Sequence, residues 1–224
     1  MADKIIDVSS NNNSIDWRKA AGDGVTDVII RLSLGTGTVD KKAATNAKAA
    51  QAAGIRVSYY HLGYPDHGTG GTLTPEEDAT QEAGHFTSLF GNNALPAPRW
   101  LAIDLEKMST GWDTPLNKTD YLNWLIVFLN DVYNTTGIPC MIYSNKPYLD
   151  AHLPASHTLG KMHLWIANYN KVSTPPLPKG WTDYFLWQYT AKATINGIPG
   201  PCDMSKTAVS LHLEKLRKKV STVR

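Results

Sequence analysis

"TDVIIRLSLGTGTVDKKAATNAKAAQAAGIRVSYYHL", residues 26–62, reads as a strand, a helix and a second strand. The first piece, 26–35, is β-branched and apolar, as a buried strand requires. Residues 41–54 are dominated by alanine, the best helix former, and stop at Gly54. "IRVSYYHL" (55–62) returns to β-branched and aromatic residues. A helix between two such strands is the crossover of a parallel pair, so this stretch sets the fold class.

The same alternation extends in both directions. "KIIDV" (4–8) is a strand and "SIDWRKAAGDG" (14–24) a short helix ended by glycine. Residues 63–73, "GYPDHGTGGTL", form a loop by their Gly and Pro content. Thr74-Pro75-Glu76-Glu77 then starts a helix that reaches about Phe90: Thr74 can cap, Pro75 fits the first turn, and Glu77 completes a capping box. "RWLAID" (99–104) is the fourth strand. In 117–137, Tyr121, Leu122, Leu125, Phe128, Leu129 and Val132 recur at helical spacing up to Gly137. "CMIYS" (140–144), "HLWIANY" (163–169), "YFLWQYT" (184–190) and "PCDMS" (201–205) complete about eight strands. The expected architecture is α/β: a single irregular TIM-like (β/α) barrel with fewer helices in its C-terminal third. One catalytic domain is expected over 1–206. Residues 207–224 follow as a C-terminal tail, in which 207–219 have an amphipathic helical pattern with a basic end.

Composition narrows the function. Over 224 residues the net charge is only +2, which argues against a nucleic-acid binder, and no apolar run approaches the ~20 residues of a membrane span. "MADKIIDVSS" has an early acid and no apolar core of a secretory signal, so synthesis in a cytoplasm is expected. Cys140 and Cys202 lack the spacing of a zinc site and read as free buried thiols. Seven Trp and ten Tyr against four Phe favour rings with a polar handle, which suit sugar-binding grooves as well as core packing.

Active sites of βα barrels lie at the carboxyl ends of the strands. Asp7 ends the first strand, Asp104 and Glu106 end the fourth, and Asp203 lies in the last. Barrel closure makes the first and last strands neighbours, so all four acids should face one mouth. Asp104 and Glu106, at i and i+2 of an extended chain, point the same way with Cα atoms roughly 6.5–7 Å apart. Crowded, buried carboxyls raise one another's pKa, so one keeps a proton and acts as a general acid while another stays ionised. Glycoside hydrolysis needs that division of labour. A single acid after a strand is more often a helix cap or a solvated loop residue; four at matched strand ends favour a site. The same ends supply Tyr60, His61, Tyr143, Trp165, Tyr169, Trp187 and Gln188 as candidate substrate contacts. A lone His such as His61 is commonly a core residue, and Arg31, ending an apolar run, reads as a structural ion-pair partner.

With these residues in place, the sequence resembles the glycoside hydrolase family 25 lysozymes, the muramidases of bacteria, fungi and phage endolysins. The matching pieces are "IDVSS…IDW" (6–17), "VIIRLSLGTG" (28–37), "VSYYHL" (57–62), "LAIDLE" (101–106), "IYS" (142–144), "LWIANY" (164–169), "WQYT" (187–190) and "CDMS" (202–205). Each is weak alone; their order and spacing are specific. The resemblance implies an irregular βα barrel that hydrolyses the β-1,4 bond between N-acetylmuramic acid and N-acetylglucosamine in peptidoglycan. It places the general acid at Glu106 and the partner carboxylate at Asp104, with Asp7 and Asp203 completing the site. Tyr60, Tyr143, Trp165, Tyr169 and Gln188 fall in groove-lining motifs, and His61 and Trp187 are counted with them. Two departures bear on fine specificity. "SSNNNSIDW" stands where a Gln-Gly pair often follows the first Asp, and "MSKT" replaces a more usual Leu-Asn after Asp203. No cofactor or metal is expected. A monomer acting on wall glycan strands is expected, of phage or prophage origin, released by a holin or carried in the virion. The alternatives are a catalytically silent sugar-binding barrel, against which Glu106 argues, and a metal-dependent hydrolase using Asp7, Asp104 and His61, which would need more histidines nearby.

Overall fold

The computed structural model describes residues 4–90 and 95–208. Eight strands close a barrel: β1 (Lys4–Val8), β2 (Val25–Leu34), β4 (Arg56–Leu62), β5 (Leu101–Asp104), β6 (Cys140–Asn145), β7 (Leu164–Ala167), β8 (Leu186–Ala193) and β9 (Cys202–Thr207). Closure comes from β1, which pairs with β2 on one side and β9 on the other. A ninth strand, the two-residue β3 (Thr38–Val39), adds antiparallel to the end of β2. The helices are α1 (Trp17–Gly22), α2 (Ala43–Ala52), α3 (Pro75–Ser88), α4 (Lys118–Thr136) and α5 (Lys146–His152), with a 3₁₀ turn at Thr158–Lys161. Among the described residues no helix follows β7, so the C-terminal third is as bare as expected. None of these helices is long and apolar enough to cross a membrane.

Two features differ from the expected barrel. Apart from the short β3, the strands from β1 to β8 pair in parallel, but β9 runs antiparallel to both β8 and β1. Residues 194–201 are too few and too poor in helix formers to build a parallel crossover, so the chain turns back on itself. Strand β9 also continues through Thr207, where the tail was expected to begin; the expected tail helix lies outside the described residues from 209 onward.

Strand alternation divides the apolar residues into two cores. The outer core, between the barrel and its helices, includes Ile6, Val28, Tyr59, Phe86, Ile103, Trp124 and Phe128. The barrel interior holds Ile5, Ile29, Ala102, Met141, Trp165 and Leu186. Asp27, on the same face of β2 as Ile29, closes the amino end of the barrel. It accepts from Arg56 (Nη2 2.6 Å) and from the Arg99 guanidinium, which itself lies 4.2 Å over the Trp100 ring. With that end plugged, the interior opens toward the carboxyl ends of the strands.

Local chemistry fixes the helices that support this barrel. Thr74 caps α3 by accepting from Glu77 N–H, and the Glu77 side chain reaches back to Thr74 N–H at 2.8 Å, the reciprocal pair of a capping box. Asn117 caps α4 by accepting from the Thr119 and Asp120 N–H groups, and Gly137 ends it in the left-handed region at φ 68°.

Candidate active site

The next inward-facing layer above Ile29, Ala102 and Leu186 is polar: Asp7, Arg31, Tyr60, Asp104, Tyr143 and Gln188 stand two residues further along their strands or level with those that do. Pairing of β1 with β9 sets Asp7 directly opposite Asp203. Leu105 turns into the hydrophobic core, which sends Glu106 back to the same side as Asp104. All four acids line one cavity of about 460 Å³, the size of a small-molecule or saccharide cleft.

The cleft has a dense hydrogen-bond order. Gln188 Nε2 donates to Asp7 Oδ2 at 2.9 Å. Its Oε1 accepts from the Tyr143 hydroxyl at 2.8 Å and the Tyr169 hydroxyl at 2.6 Å. The Trp165 indole donates to Ser205 Oγ at 2.9 Å and packs edge-on against Tyr143, ring centroids 4.6 Å apart. Arg31 also reaches the cavity, but its Nε is held by Asp40 at 3.0 Å and its Nη2 by Ser10 at 3.1 Å. It therefore does both things: it makes the structural ion pair expected of it and presents a cation to the acids.

These surroundings shift all four carboxyls upward. Burial raises Asp7, with Asp203 and Glu106 adding repulsion and the Gln188 amide opposing. Burial likewise raises Asp104, joined by Glu106, Asp7 and Asp203, with Arg31 opposing. Glu106 is raised by burial and by Asp203, and Asp203 by burial. Asp104 Oδ1 is buried and has no hydrogen-bond partner among the described residues. A buried carboxyl without a donor is most stable protonated. The cluster is therefore built to keep protons at pH values where free carboxyls have lost them.

Two of the candidate substrate contacts are not at the mouth. Tyr60 faces inward, so its neighbour His61 faces outward. There it lies between Ser33 Oγ (2.8 Å) and Glu82 (2.8 Å), against the Phe86 and Phe128 rings, fully buried. Burial keeps both members of the His61–Glu82 pair in their neutral forms, lowering the imidazole and raising the carboxyl. Trp187, beside the inward Gln188, joins the outer core and donates its indole N–H to Asn168 O at 2.8 Å. The remaining candidates, Tyr60, Tyr143, Trp165, Tyr169 and Gln188, all line the cavity. So do Asn11, Asn12 and Asn13 after β1 and Pro199, Gly200 and Pro201 before β9. The asparagine run was visible as a departure from the usual motif; nothing in 199–201 marked those residues beyond their turn composition.

Carboxyls gathered at strand ends beneath polar aromatic rings are the equipment of a carbohydrate-cleaving barrel. The chain belongs to the glycosyl hydrolases family 25, whose profile matches residues 6–198. It is 26% identical over 208 residues to Lysozyme M1 of Streptomyces globisporus, an alignment covering 90% of this chain and 66% of that one. It is 25% identical over 203 residues to the autolytic lysozyme of Clostridium acetobutylicum, covering 91% and 55%. The chain thus spans somewhat under two thirds of the first relative's length and about half of the second's. The bacterial lysozyme of Streptomyces coelicolor shares the fold, with a TM-score of 0.80 and 23% identity over 96% of this chain and 95% of that one.

Proposed function

We propose that this barrel is a peptidoglycan muramidase that hydrolyses the β-1,4 bond between N-acetylmuramic acid and N-acetylglucosamine. The observation that carries the reading is the convergence of Asp7, Asp104, Glu106 and Asp203, all with raised pKa, on one saccharide-sized cleft in a family 25 chain. Two of the relatives are named lysozymes, which supports the same substrate.

Glu106 acts as the general acid and gives its proton to the glycosidic oxygen as the bond to C1 breaks. Burial and the neighbouring Asp203 raise its pKa, which favours the protonated form a general acid needs. Asp104, two residues earlier and deeper in the cleft, orients the group that attacks C1. Negative charge on the remaining aspartates faces the positive charge that develops on the sugar ring. Tyr60, Tyr143, Trp165, Tyr169 and Gln188 form the walls that hold the rings. His61 and Trp187 have no part in this, because both are packed on the far side of their strands.

Mass spectrometry of purified cell walls digested with the protein tests the assignment. Products with reducing-end muramic acid are expected. Reducing-end glucosamine, or no cleavage by a folded protein, would overturn it.

A further inference from the structure

We propose that Gln188 is a positioning residue that decides which buried aspartate of the cleft carries the negative charge: locked by Tyr143 and Tyr169, its amide holds Asp7 as the carboxylate and leaves Asp104 to keep the proton. This rests on the muramidase reading of the same cleft and deepens it.

The orientation of the amide follows from its three contacts. The two tyrosine oxygens lie 2.8 and 2.6 Å from one amide atom, the range of O–H···O bonds. The opposite atom lies 2.9 Å from Asp7 Oδ2, the ordinary N–H···O separation. Turning the amide over would set Oε1 against an Asp7 oxygen, which is tolerable only if Asp7 holds a proton. In the observed orientation both hydroxyls donate to Oε1, and the polarised Nε2–H is aimed at Asp7. Such chains strengthen one another in a buried setting, and Gln188 is 2% exposed. A consequence follows for the substrate. With their protons committed to Gln188, Tyr143 and Tyr169 can only accept hydrogen bonds on the cleft side.

Asp104 is equally buried but lacks this support, since its Oδ1 has no partner among the described residues. The charged groups around the two aspartates do not reverse the order. Asp7 faces Asp203 on β9 and Glu106 after β5. Asp104 faces Glu106, Asp7 and Asp203, with the Arg31 guanidinium of β2 opposing them. That guanidinium is already engaged by Asp40 and Ser10. The phenols Tyr60 of β4, Tyr143 of β6 and Tyr169 beyond β7, and the Cys202 thiol of β9, stay neutral, their own ionisation opposed by burial.

The test follows the carboxyl carbons of ¹³C-labelled aspartate by NMR as pH is varied, with Asp7→Asn and Asp104→Asn variants assigning the two signals. In the unmodified chain Asp7 should ionise at lower pH than Asp104. Gln188→Met, close in shape but without a donor, should raise the Asp7 titration by about one pH unit, the size expected for loss of a hydrogen bond to a charged group. The acid limb of the kcat/KM profile should move up with it. Gln188→Glu keeps the shape and hydroxyl contacts but brings an acceptor against Asp7, so it should move the titration the same way; it serves if the Met variant does not fold. Tyr143→Phe combined with Tyr169→Phe should produce a smaller shift in that direction. An Asp7 titration unmoved by both Gln188 variants, or Asp104 ionising first in the unmodified chain, overturns the proposal. Because the NMR readout needs no substrate, that failure is distinct from failure to cleave peptidoglycan.

Discussion

Glu106 occupies its place because a short strand ends at Asp104 and one apolar residue, Leu105, is drawn into the core between the two acids. Replacing Glu106 by Gln keeps the shape and removes the proton to be donated. Under the muramidase reading, turbidity loss of a wall suspension should slow by about 10²- to 10⁴-fold, the usual range for a general acid. The melting temperature should hold or rise, since a buried, raised carboxyl is lost. A folded Glu106→Gln protein with near-normal rates would place the acid elsewhere. At this scale the sequence was readable wherever strand period was applied consistently. Period two puts Asp7, Asp104 and Gln188 inside the barrel. The same rule places His61 and Trp187 outside, next to the inward Tyr60 and Gln188, so their position away from the cleft was legible in the sequence. The Gln188 amide with its two tyrosine donors was not legible, because Tyr143, Tyr169 and Asp7 come from three separate strands or their extensions.

Helix α3 carries more than its own packing. Its Glu82 accepts from Tyr64 N–H at 3.2 Å, and its Asp78 accepts from the Trp124 indole at 2.8 Å and from Asp66 N–H at 3.4 Å. It therefore anchors the start of the glycine-rich loop that follows β4. The capping box that begins α3 is solvent-exposed, so its value can be measured without disturbing the core. Thr74→Ala should cost about 1 kcal/mol in urea unfolding. Thr74→Ser should recover most of the loss, and a Thr74→Ala protein with unchanged stability would mean that packing against α4 alone sets the helix start. Element order was legible through β8 because helix and strand periods differ and glycines end the helices. The reversal of β9 was legible too, in the shortness of 194–201, but only if connection length is weighed as well as strand pattern. The two-residue β3 and the seven-residue α5 carry too little periodicity to be read from sequence.

For the whole molecule, the buried carboxyls make stability depend on pH in an unusual direction. Asp7, Asp104, Glu106 and Asp203 are raised in the folded state, as are Asp78, to about 6, and Glu82, to about 8. A carboxyl whose folded pKa lies above its unfolded value keeps its proton after the unfolded chain has released it. Its contribution is greatest below the unfolded pKa and is lost as pH rises toward the folded one. His61, lowered to about 3, acts oppositely, losing its contribution as pH falls from about 6.5. His152, also lowered by burial, acts in the same direction as His61. Six carboxyls outweigh two imidazoles, so scanning calorimetry should find a higher melting temperature near pH 5 than near pH 8. Each kcal/mol corresponds to about 2–4 °C in a domain of this size. Asp104 supplies the sharpest form of the argument, because its Oδ1 is buried with no hydrogen-bond partner among the described residues. Asparagine imitates the protonated side chain and cannot ionise. Asp104→Asn should therefore melt higher than the unmodified chain at pH 8, with the difference shrinking toward zero at pH 4, while wall cleavage falls at both. A melting temperature that drops at pH 8 would mean that the cleft stabilises a charge on Asp104, and the aspartate would then have to be an anion in the resting protein.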